Sequence, residues 1–236
     1  MKLNIYQLYQ KMLKNMGQTG WWPADSKNEI ICEAILIQNT NAENAERAAA
    51  QLRDTTQYSS DKLINLPLAK LQELVRPAGF YKNKSRSIYE FFKWYQQFGF
   101  NDQKVVHHYG KQLRSTLLKF RAIGDETADV LLTYVFDQPT FVSDKYARTL
   151  FTHLGIQNLT DYTSLADQCQ LGDEFSIKDA QEFHGLIDEF GKQYLRRTDH
   201  FEDSFLNGDQ LVLWNSAHHL VIILIQRSKF AMVSCY

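Results

Sequence analysis

One carboxylate and one glycine-containing turn are the residues of this chain best suited to chemistry. The turn Ala122-Ile123-Gly124 precedes an apolar helical pattern, and Asp144 follows the apolar segment PTFVS at residues 139–143. Unpaired N–H groups at a helix start, together with the helix dipole, favour an anion such as phosphate. A carboxylate can stabilise developing positive charge and activate water. Residues 118–150 therefore predict a phosphate-binding turn combined with a catalytic carboxylate.

Asp144 also fits an ordinary structural role. It directly precedes the helical pattern Lys145-Tyr146-Ala147-Arg148, and Asp is strongly preferred as a helix N-cap. From its position alone, the cap is the more common explanation. The two roles are compatible, because a carboxylate at a helix start stays ionised at neutral pH.

The elements that would position these residues are helical. The 236 residues are 44% hydrophobic, which is enough for a sizeable core. Apolar residues return at three- and four-residue spacing in segments 3–16, 28–38, 42–52, 68–75, 85–98, 112–119, 126–136, 145–154 and 179–195. No convincing pair of alternating strands is present. The pattern predicts an all-α fold of short helices around a cleft.

Composition limits the partners and the compartment. The net charge is −1, with 26 Lys and Arg against 27 Asp and Glu, so any binding of nucleic acid must be focal. Basic residues gather around the turn and after Gly79, at Lys82, Lys84, Arg86, Lys111, Arg114, Lys119 and Arg121. The three cysteines are widely spaced, which is typical of a reduced chain. With no signal-peptide pattern at the N-terminus, we expect a cytoplasmic protein without a membrane partner.

Several motifs resemble, in the same order, those of the helix-hairpin-helix (HhH-GPD) base-excision DNA glycosylases, the superfamily that contains endonuclease III. They are WWPADSKNEIICEAILIQNT at 21–40, VRPAGFYKNKSRSI at 75–88, the segment 118–150, and FHGLIDEFGKQYL at 183–195. The resemblance implies two helical lobes with a DNA-binding cleft between them. Its partner would be double-stranded DNA containing a damaged base, bound by a monomer.

The resemblance also implies a division of the chain into lobes. We expect a six-helix barrel lobe that includes the hairpin over residues 23–130, and a second lobe built from residues 1–22 plus 131–208. Residues 209–236 lie outside the resemblance and form a tail, which we expect to pack as a helix or a strand. Its apolar run, 220–225, is too short to span a bilayer.

Carried onto this sequence, the resemblance makes Asp144 the catalytic residue and indicates a set of DNA contacts. The DNA-binding residues would be Gln38, Asn39, Thr40, Lys84, Ala122, Ile123, Gly124, Glu126 and Thr127. The hairpin departs from the usual Gly-x-Gly, because Ala122 replaces its first glycine. Alanine tolerates a left-handed backbone less well, so the phosphate grip would be weakened or reshaped.

Two further departures concern the chemistry. Members that cut the DNA strand carry a lysine nucleophile at the position of Glu126, and Glu cannot form a Schiff base; Lys119 and Lys145 remain alternative amines. Many relatives bind a [4Fe–4S] cluster through four late cysteines, but residues 191–211 contain no cysteine. We therefore predict water as the nucleophile, and no metal or other cofactor.

The Trp21-Trp22-Pro23 motif is most similar to the 3-methyladenine DNA glycosylase branch, in which these residues help to form the base pocket. Glu126 and Lys192 match polar positions near that pocket, although each also fits an ordinary surface role. Indole rings suit a cationic alkylated purine through cation–π attraction. Core packing is a nearly equal explanation for either Trp. Small Ala42 occupies the position of an aromatic residue that sandwiches the base in that branch, and His184 is better explained as a core histidine.

These observations predict a monofunctional DNA glycosylase that removes alkylated purines and leaves an abasic site in an intact strand. One alternative is an endonuclease III-like glycosylase for oxidised pyrimidines. The other is a helix-hairpin-helix module that binds DNA without catalysis. The retained context FVSDKYAR around Asp144 favours an enzyme over the module.

Overall fold

The computed structural model describes residues 1–196 and 200–213. Within them lie helices α1 (Ile5–Met16), α2 (Lys27–Leu36), α3 (Ala42–Thr56), α4 (Ser60–Asn65), α5 (Leu68–Leu74), α6 (Tyr81–Gln96), α7 (Asp102–Tyr109), α8 (Leu113–Leu117), α9 (Asp125–Tyr134), α10 (Lys145–His153), α11 (Tyr162–Ala166) and α12 (Ile177–Tyr194). Short 3-10 turns join some of them. The predicted all-α fold is confirmed.

Local capping explains why several helices begin where they do. Asn4 and Ser176 start α1 and α12 with capping boxes, and the Ser26 side chain accepts a hydrogen bond from Glu29 N–H at the start of α2. The predicted helical segments all contain a helix, with ends that differ by a few residues. Helices α4, α7 and α11, with 6, 8 and 5 residues, were not predicted. Short helices offer few repeats of the helical period, although α5 and α8, with 7 and 5 residues, were found within predicted segments.

A minimal parallel sheet was also not predicted. Strand β1 (Lys2–Leu3) pairs with β2 (Gln210–Leu211), with Leu3 opposite Leu211. Two-residue strands leave no alternation that a sequence pattern could reveal. The first residues of the expected tail thus pack as a strand against the N-terminus, whereas residues 214–236 lie outside the described part of the chain.

The core consists of two hydrophobic clusters. The first is built mainly from α2, α3, α5, α6 and α9, with Phe91, Phe92 and Phe136 fully buried. The second joins α1 to α10 and α12, with Phe151 and Phe183 at its centre. Each cluster corresponds to one helical lobe, and α9 contacts α12 across the boundary between them.

The expected lobe boundary at residue 130 does not coincide with the boundary between the two hydrophobic clusters. It falls inside α9, and Leu131, Phe136 and Val142 all pack in the first cluster. Trp21 and Trp22, which we expected in the second lobe, also pack against the first cluster. The reason is that one helix keeps one apolar face along its length, so a lobe rarely divides in mid-helix. We propose that the first lobe ends near residue 142.

Candidate active site

Asp144 begins α10 and is largely enclosed. The residues before it, 141–143, are buried, and its Oδ1 accepts a 2.7 Å hydrogen bond from the Ala147 N–H, so Asp144 is the N-cap of the helix. Its side chain exposes 14% of its surface. The carboxylate is therefore oriented by the helix start and largely shielded from solvent.

Burial raises the pKa of Asp144 to about 6. The negative charge of Asp188 adds to the rise, while the hydrogen bond from Ala147 and the charge of Arg148 oppose it. Enclosure disfavours the charged form of an acid. At pH 7 Asp144 is still mostly ionised, but it has a much higher proton affinity than an exposed aspartate, and this suits a general base.

Glu126 is a second carboxylate near Asp144. It lies in the first turn of α9, with an exposed side chain. Partial desolvation raises the pKa of Glu126, and the negative charge of Asp144 raises it further. The two acids therefore interact electrostatically, and the position where a lysine would act as an amine nucleophile holds an acid.

A cavity of about 530 Å³ brings together the two segments that we predicted to contact DNA. It is lined by Gln38 and Asn39 from the turn after α2 and by the start of α9, including Gly124, Glu126 and Thr127. Gln38 Nε2 donates a 2.6 Å hydrogen bond to the Ala122 carbonyl, which ties the turn to the hairpin. We call this cavity the hairpin cleft; Thr40 is not among its lining residues.

The hairpin between α8 and α9 places Ala122 in a left-handed backbone conformation, although alanine tolerates this conformation less well than glycine. Ala122 adopts φ 62°, in the left-handed region, whereas Gly124 is extended at φ −92°. The N–H of Ile123 donates to the Phe120 carbonyl at 3.1 Å, and Ile123 is 5% exposed. Ile123 was expected among the DNA contacts, but its amide does not face outward, because the turn itself uses that donor. The amides that follow Gly124 are the ones at the helix start.

The expected DNA contact by Lys84 is also wrong. Lys84 is 2% exposed, and its Nζ donates 2.8 Å hydrogen bonds to the carbonyls of Leu36 and Ala78. Burial lowers the pKa of this lysine. Its two hydrogen bonds link the end of α2 to the turn before α6. The ammonium group therefore stabilises the start of the Gln38 turn and is not accessible to solvent. Lys82 and Arg86 on the same helix are exposed.

An aromatic pocket of about 350 Å³ contains Trp21, Trp22 and Pro23. Its wall also includes the small side chain of Ala42, the carboxyl of Glu33 and the guanidinium of Arg53. Trp22 Nε1 donates a 2.7 Å hydrogen bond to Glu33 Oε2. Burial raises the pKa of Glu33, against the lowering effect of that hydrogen bond. The predicted aromatic residues are thus gathered around a carboxyl group.

Lys192 contacts the back of this pocket. Its Nζ lies 4.7 Å from the centroid of the Trp21 ring, and it pairs with Asp188 at 2.5 Å and Glu189 at 2.8 Å. Although burial acts to lower it, the pKa of Lys192 is raised by these two acids. Lys192 is not among the lining residues of the pocket, so it contacts Trp21 from outside.

His184 is buried, as we expected of a core histidine, but it also lies beside Asp144. Its Nε2 is 3.9 Å from Asp144 Oδ2, and its Nδ1 is 2.8 Å from the hydroxyl of Tyr134. The Tyr134 ring in turn packs edge-on against Trp22, with centroids 5.7 Å apart. Tyr134 therefore connects the aromatic pocket to His184 and the carboxylate of Asp144.

Sequence reasoning missed three residues of the site: Glu33, Tyr134 and Arg148. Arg148 lines the hairpin cleft and donates from Nη1 to the Ser143 carbonyl at 2.8 Å. A signal existed for Glu33, because an acid within the apolar run IICEAIL must find a partner when the helix is buried. Tyr134 and Arg148 carried no such local signal.

The part of the chain that the structure describes, residues 1–196 and 200–213, contains neither a metal-binding group of side chains nor a membrane-spanning helix. No group of three or more His, Cys, Asp or Glu side chains there is arranged to hold a metal ion. No helix in those ranges is long and apolar enough to cross a membrane.

Comparison with protein families and curated proteins gives consistent matches. Residues 32–170 match the model of the HhH-GPD superfamily base excision DNA repair protein. The Methanocaldococcus jannaschii protein named "Putative DNA repair glycosylase MJ1434" is 33% identical over 206 residues, which cover 82% of this chain and 89% of that protein. Endonuclease III of Thermotoga maritima is 24% identical over 129 residues, 53% of this chain and 55% of its own length.

Solved structures have the same fold. The 3-methyladenine DNA glycosylase MagIII of H. pylori, bound to 1,N6-ethenoadenine, superposes with a TM-score of 0.64 at 26% identity, over 81% of this chain and 98% of that one. A non-covalent endonuclease III–DNA complex gives a TM-score of 0.64 at 17% identity, over 86% of this chain and 91% of that one.

Proposed function

This chain belongs to the HhH-GPD superfamily of base excision DNA repair proteins, and from that premise we propose that it hydrolyses the N-glycosidic bond of alkylated purines in DNA. The reaction would leave an abasic site in an intact strand. The observation that carries the proposal is the enclosed carboxylate of Asp144, fixed as the N-cap of α10. It interacts electrostatically with Glu126 and Arg148, which both line the hairpin cleft.

Asp144 supplies what this bond cleavage needs. As the base departs, positive charge develops on the sugar, and a carboxylate in a region with little water stabilises that charge strongly. A pKa of about 6 lets the same group accept a proton from the attacking water at neutral pH. Both roles require the ionised form, which predominates at pH 7.

Hydrolysis without strand cleavage is supported by the amines near the site. Glu126 cannot form a Schiff base. Lys192 is paired with Asp188 and Glu189, and these acids keep its ammonium protonated by raising its pKa. A protonated amine is not a nucleophile. The sequence alternatives Lys119 and Lys145 have exposed side chains.

The aromatic pocket supports an alkylated purine as the substrate. Two indoles and the carboxyls of Glu33 and Glu46 line it, together with Arg53, which lies 3.6 Å from Glu33 Oε1. The indole rings favour a flat, positively charged base. Such a base is already a good leaving group, so a strong general acid is not required. The MagIII structure of the related fold holds 1,N6-ethenoadenine, a modified purine base.

Double-stranded DNA would bind across the hairpin cleft. The first backbone amides of α9, after Gly124, would face a phosphate, and Gln38 would approach the bases next to the flipped nucleotide. Exposed Lys119 and Arg121 on the hairpin turn add local positive charge to a chain with a net charge of −1. We propose that a monomer binds the duplex in this way.

A single lesion assay tests the proposal. Duplexes carrying one methylated purine, 1,N6-ethenoadenine or an oxidised pyrimidine are incubated with the parent protein and with Asp144→Asn, and released base and strand breaks are measured. We expect release of the modified purines, no strand break without alkali, and a loss of about a hundredfold or more in the variant. Asp61→Asn, an exposed first-turn aspartate of α4, serves as the matched control.

Other outcomes would identify the alternatives. Preferential release of the oxidised pyrimidine would support an endonuclease III-like substrate range. DNA binding without release of any base would support a non-catalytic module. A covalent protein–DNA adduct trapped by borohydride would contradict hydrolysis by water alone.

A further inference from the structure

A histidine and a tyrosine beside Asp144 have no role in the helix cap or the hairpin cleft. His184 on α12 is 9% exposed and Tyr134 on α9 is 4% exposed. His184 Nδ1 lies 2.8 Å from the Tyr134 hydroxyl oxygen, which also lies 3.0 Å from the Gln181 carbonyl oxygen. These contacts fix the imidazole ring in one orientation, with Nε2 directed towards Asp144.

The protonation of the ring follows from counting donors. A carbonyl oxygen only accepts, so Tyr134 donates its single hydroxyl hydrogen to Gln181. The hydroxyl oxygen then accepts from His184 Nδ1, which must carry the ring hydrogen. Burial lowers the pKa of His184 to about 4, despite the charges of Asp188 and Glu126, so the ring is neutral at pH 7. Its Nε2 is therefore a bare acceptor.

Two acceptors thus face each other at the catalytic carboxylate. His184 Nε2 and Asp144 Oδ2 are 3.9 Å apart, which is too long for a direct hydrogen bond. Neither atom can donate to the other when Asp144 is ionised. A molecule with two donors at one oxygen satisfies both, and water has this geometry, with hydrogen bonds of about 2.8 Å to each acceptor.

We propose that His184 Nε2 and Asp144 Oδ2 together hold the water molecule that attacks the sugar, which makes His184 a second catalytic residue. The inference rests on the proposed glycosylase activity. The water oxygen forms a bond to C1′ as the C1′–N bond breaks, and the electron pair of that bond leaves with the base, neutralising a cationic purine. One water proton passes to Asp144, and the other stays on the new hydroxyl group, hydrogen-bonded to His184.

Two substitutions of His184 separate catalysis from packing. His184→Leu keeps a side chain of similar bulk without an acceptor, whereas His184→Gln restores an acceptor oxygen. We expect the single-turnover rate of base release at saturating protein to fall tenfold or more in the Leu variant and to recover in part in the Gln variant. Affinity for a duplex containing a tetrahydrofuran abasic analogue should not change in either variant. His107→Leu, at an exposed histidine of α7, is the control.

The outcomes are distinct from those that test the proposed function. If the parent releases no base, the proposed glycosylase activity is wrong, and the role of His184, which depends on it, is wrong as well. If the parent is active and the Leu variant equals it, only the role of His184 is overturned. Equal losses in the Leu and Gln variants, or a loss confined to DNA affinity, would also overturn it, because they indicate a packing or binding role.

Discussion

At the scale of single residues, Asp144 has two opposite effects on stability, one from its N-cap hydrogen bond and one from its enclosed charge. The N-cap hydrogen bond to Ala147 stabilises α10, but enclosure of the charge works against the folded state. The raised pKa of Asp144 reflects this second effect. A carboxyl group that holds its proton more tightly in the folded state destabilises that state once it is ionised.

Asp144→Asn should therefore stabilise the protein at neutral pH while it slows base release about a hundredfold or more. The folded pKa of about 6 lies above the unfolded value of about 3.9, so the cost of ionisation is absent below about pH 4 and complete above about pH 6. Asparagine keeps the cap without the charge. We expect a gain of about 1–3 kcal/mol at pH 7.5 that disappears near pH 4, measured by thermal unfolding. A destabilised variant at pH 7.5 would contradict this.

Glu33 should determine the preference for charged bases. Glutamine at this position keeps the size of the side chain and can still accept from Trp22 Nε1, but it cannot ionise and no longer offsets the positive charge of Arg53 in the aromatic pocket. We expect Glu33→Gln to slow release of a cationic methylated purine roughly tenfold, equivalent to ~1.4 kcal/mol, and to affect neutral 1,N6-ethenoadenine less. Glu46→Gln, at an exposed residue of the same pocket, is the comparison. Equal effects on both lesions would argue against a charge-based preference.

At the scale of elements, α12 positions both halves of the site through close contacts at two glycines. A Cβ at Gly185 would lie 2.4 Å from Trp21 Cβ, and a Cβ at Gly191 would lie 2.2 Å from the Tyr146 ring. The first contact seats the segment that forms the aromatic pocket. The second brings α10, and hence Asp144 two residues before Tyr146, against α12.

Gly191→Ala should disturb this arrangement. The added methyl group cannot be accommodated unless Tyr146 and the start of α10 move, and overpacking of this kind costs about 1–3 kcal/mol. We expect a lower thermal unfolding temperature together with slower base release. Gln193→Ala, at an exposed position of the same helix, should change neither. Normal stability with Gly191→Ala would show that α10 and α12 can separate at no cost.

At the scale of the whole molecule, the second lobe is closed by residues from both ends of the described chain. Strands β1 and β2 pair in parallel, and Lys11 on α1 forms an ion pair with Asp209, whose side chain is only 4% exposed. Burial acts to raise the pKa of Asp209, but the hydrogen bonds from Lys11 and the terminal amine lower it overall. This carboxylate therefore stabilises the folded state, unlike Asp144.

Asp209→Asn should destabilise the protein at neutral pH by about 1–3 kcal/mol, because a largely buried ion pair loses one partner. The sign of the pH dependence is opposite to that at Asp144. A depressed folded pKa gives stabilisation that is present above the unfolded value of about 3.9 and lost as the pH falls through the folded value. The difference between parent and variant should thus shrink in acid, as measured by urea unfolding. Asp173→Asn, which is exposed, should show no such difference.

The sequence by itself determined the helical fold, the turn before α9 and the helix N-cap at Asp144. It also placed Trp21 and Trp22 in one motif. All of these depend on local spacing, because helical periodicity and capping preferences act within a few residues. Only the tertiary structure decided which polar groups are enclosed. The Lys84 ammonium group is buried and donates to the Leu36 carbonyl. The Ile123 N–H donates to a carbonyl within the hairpin. His184, on a helix far from Asp144 in sequence, lies beside that carboxylate. The burial of a polar side chain depends on which helices pack around it, and one stretch of sequence does not contain that information.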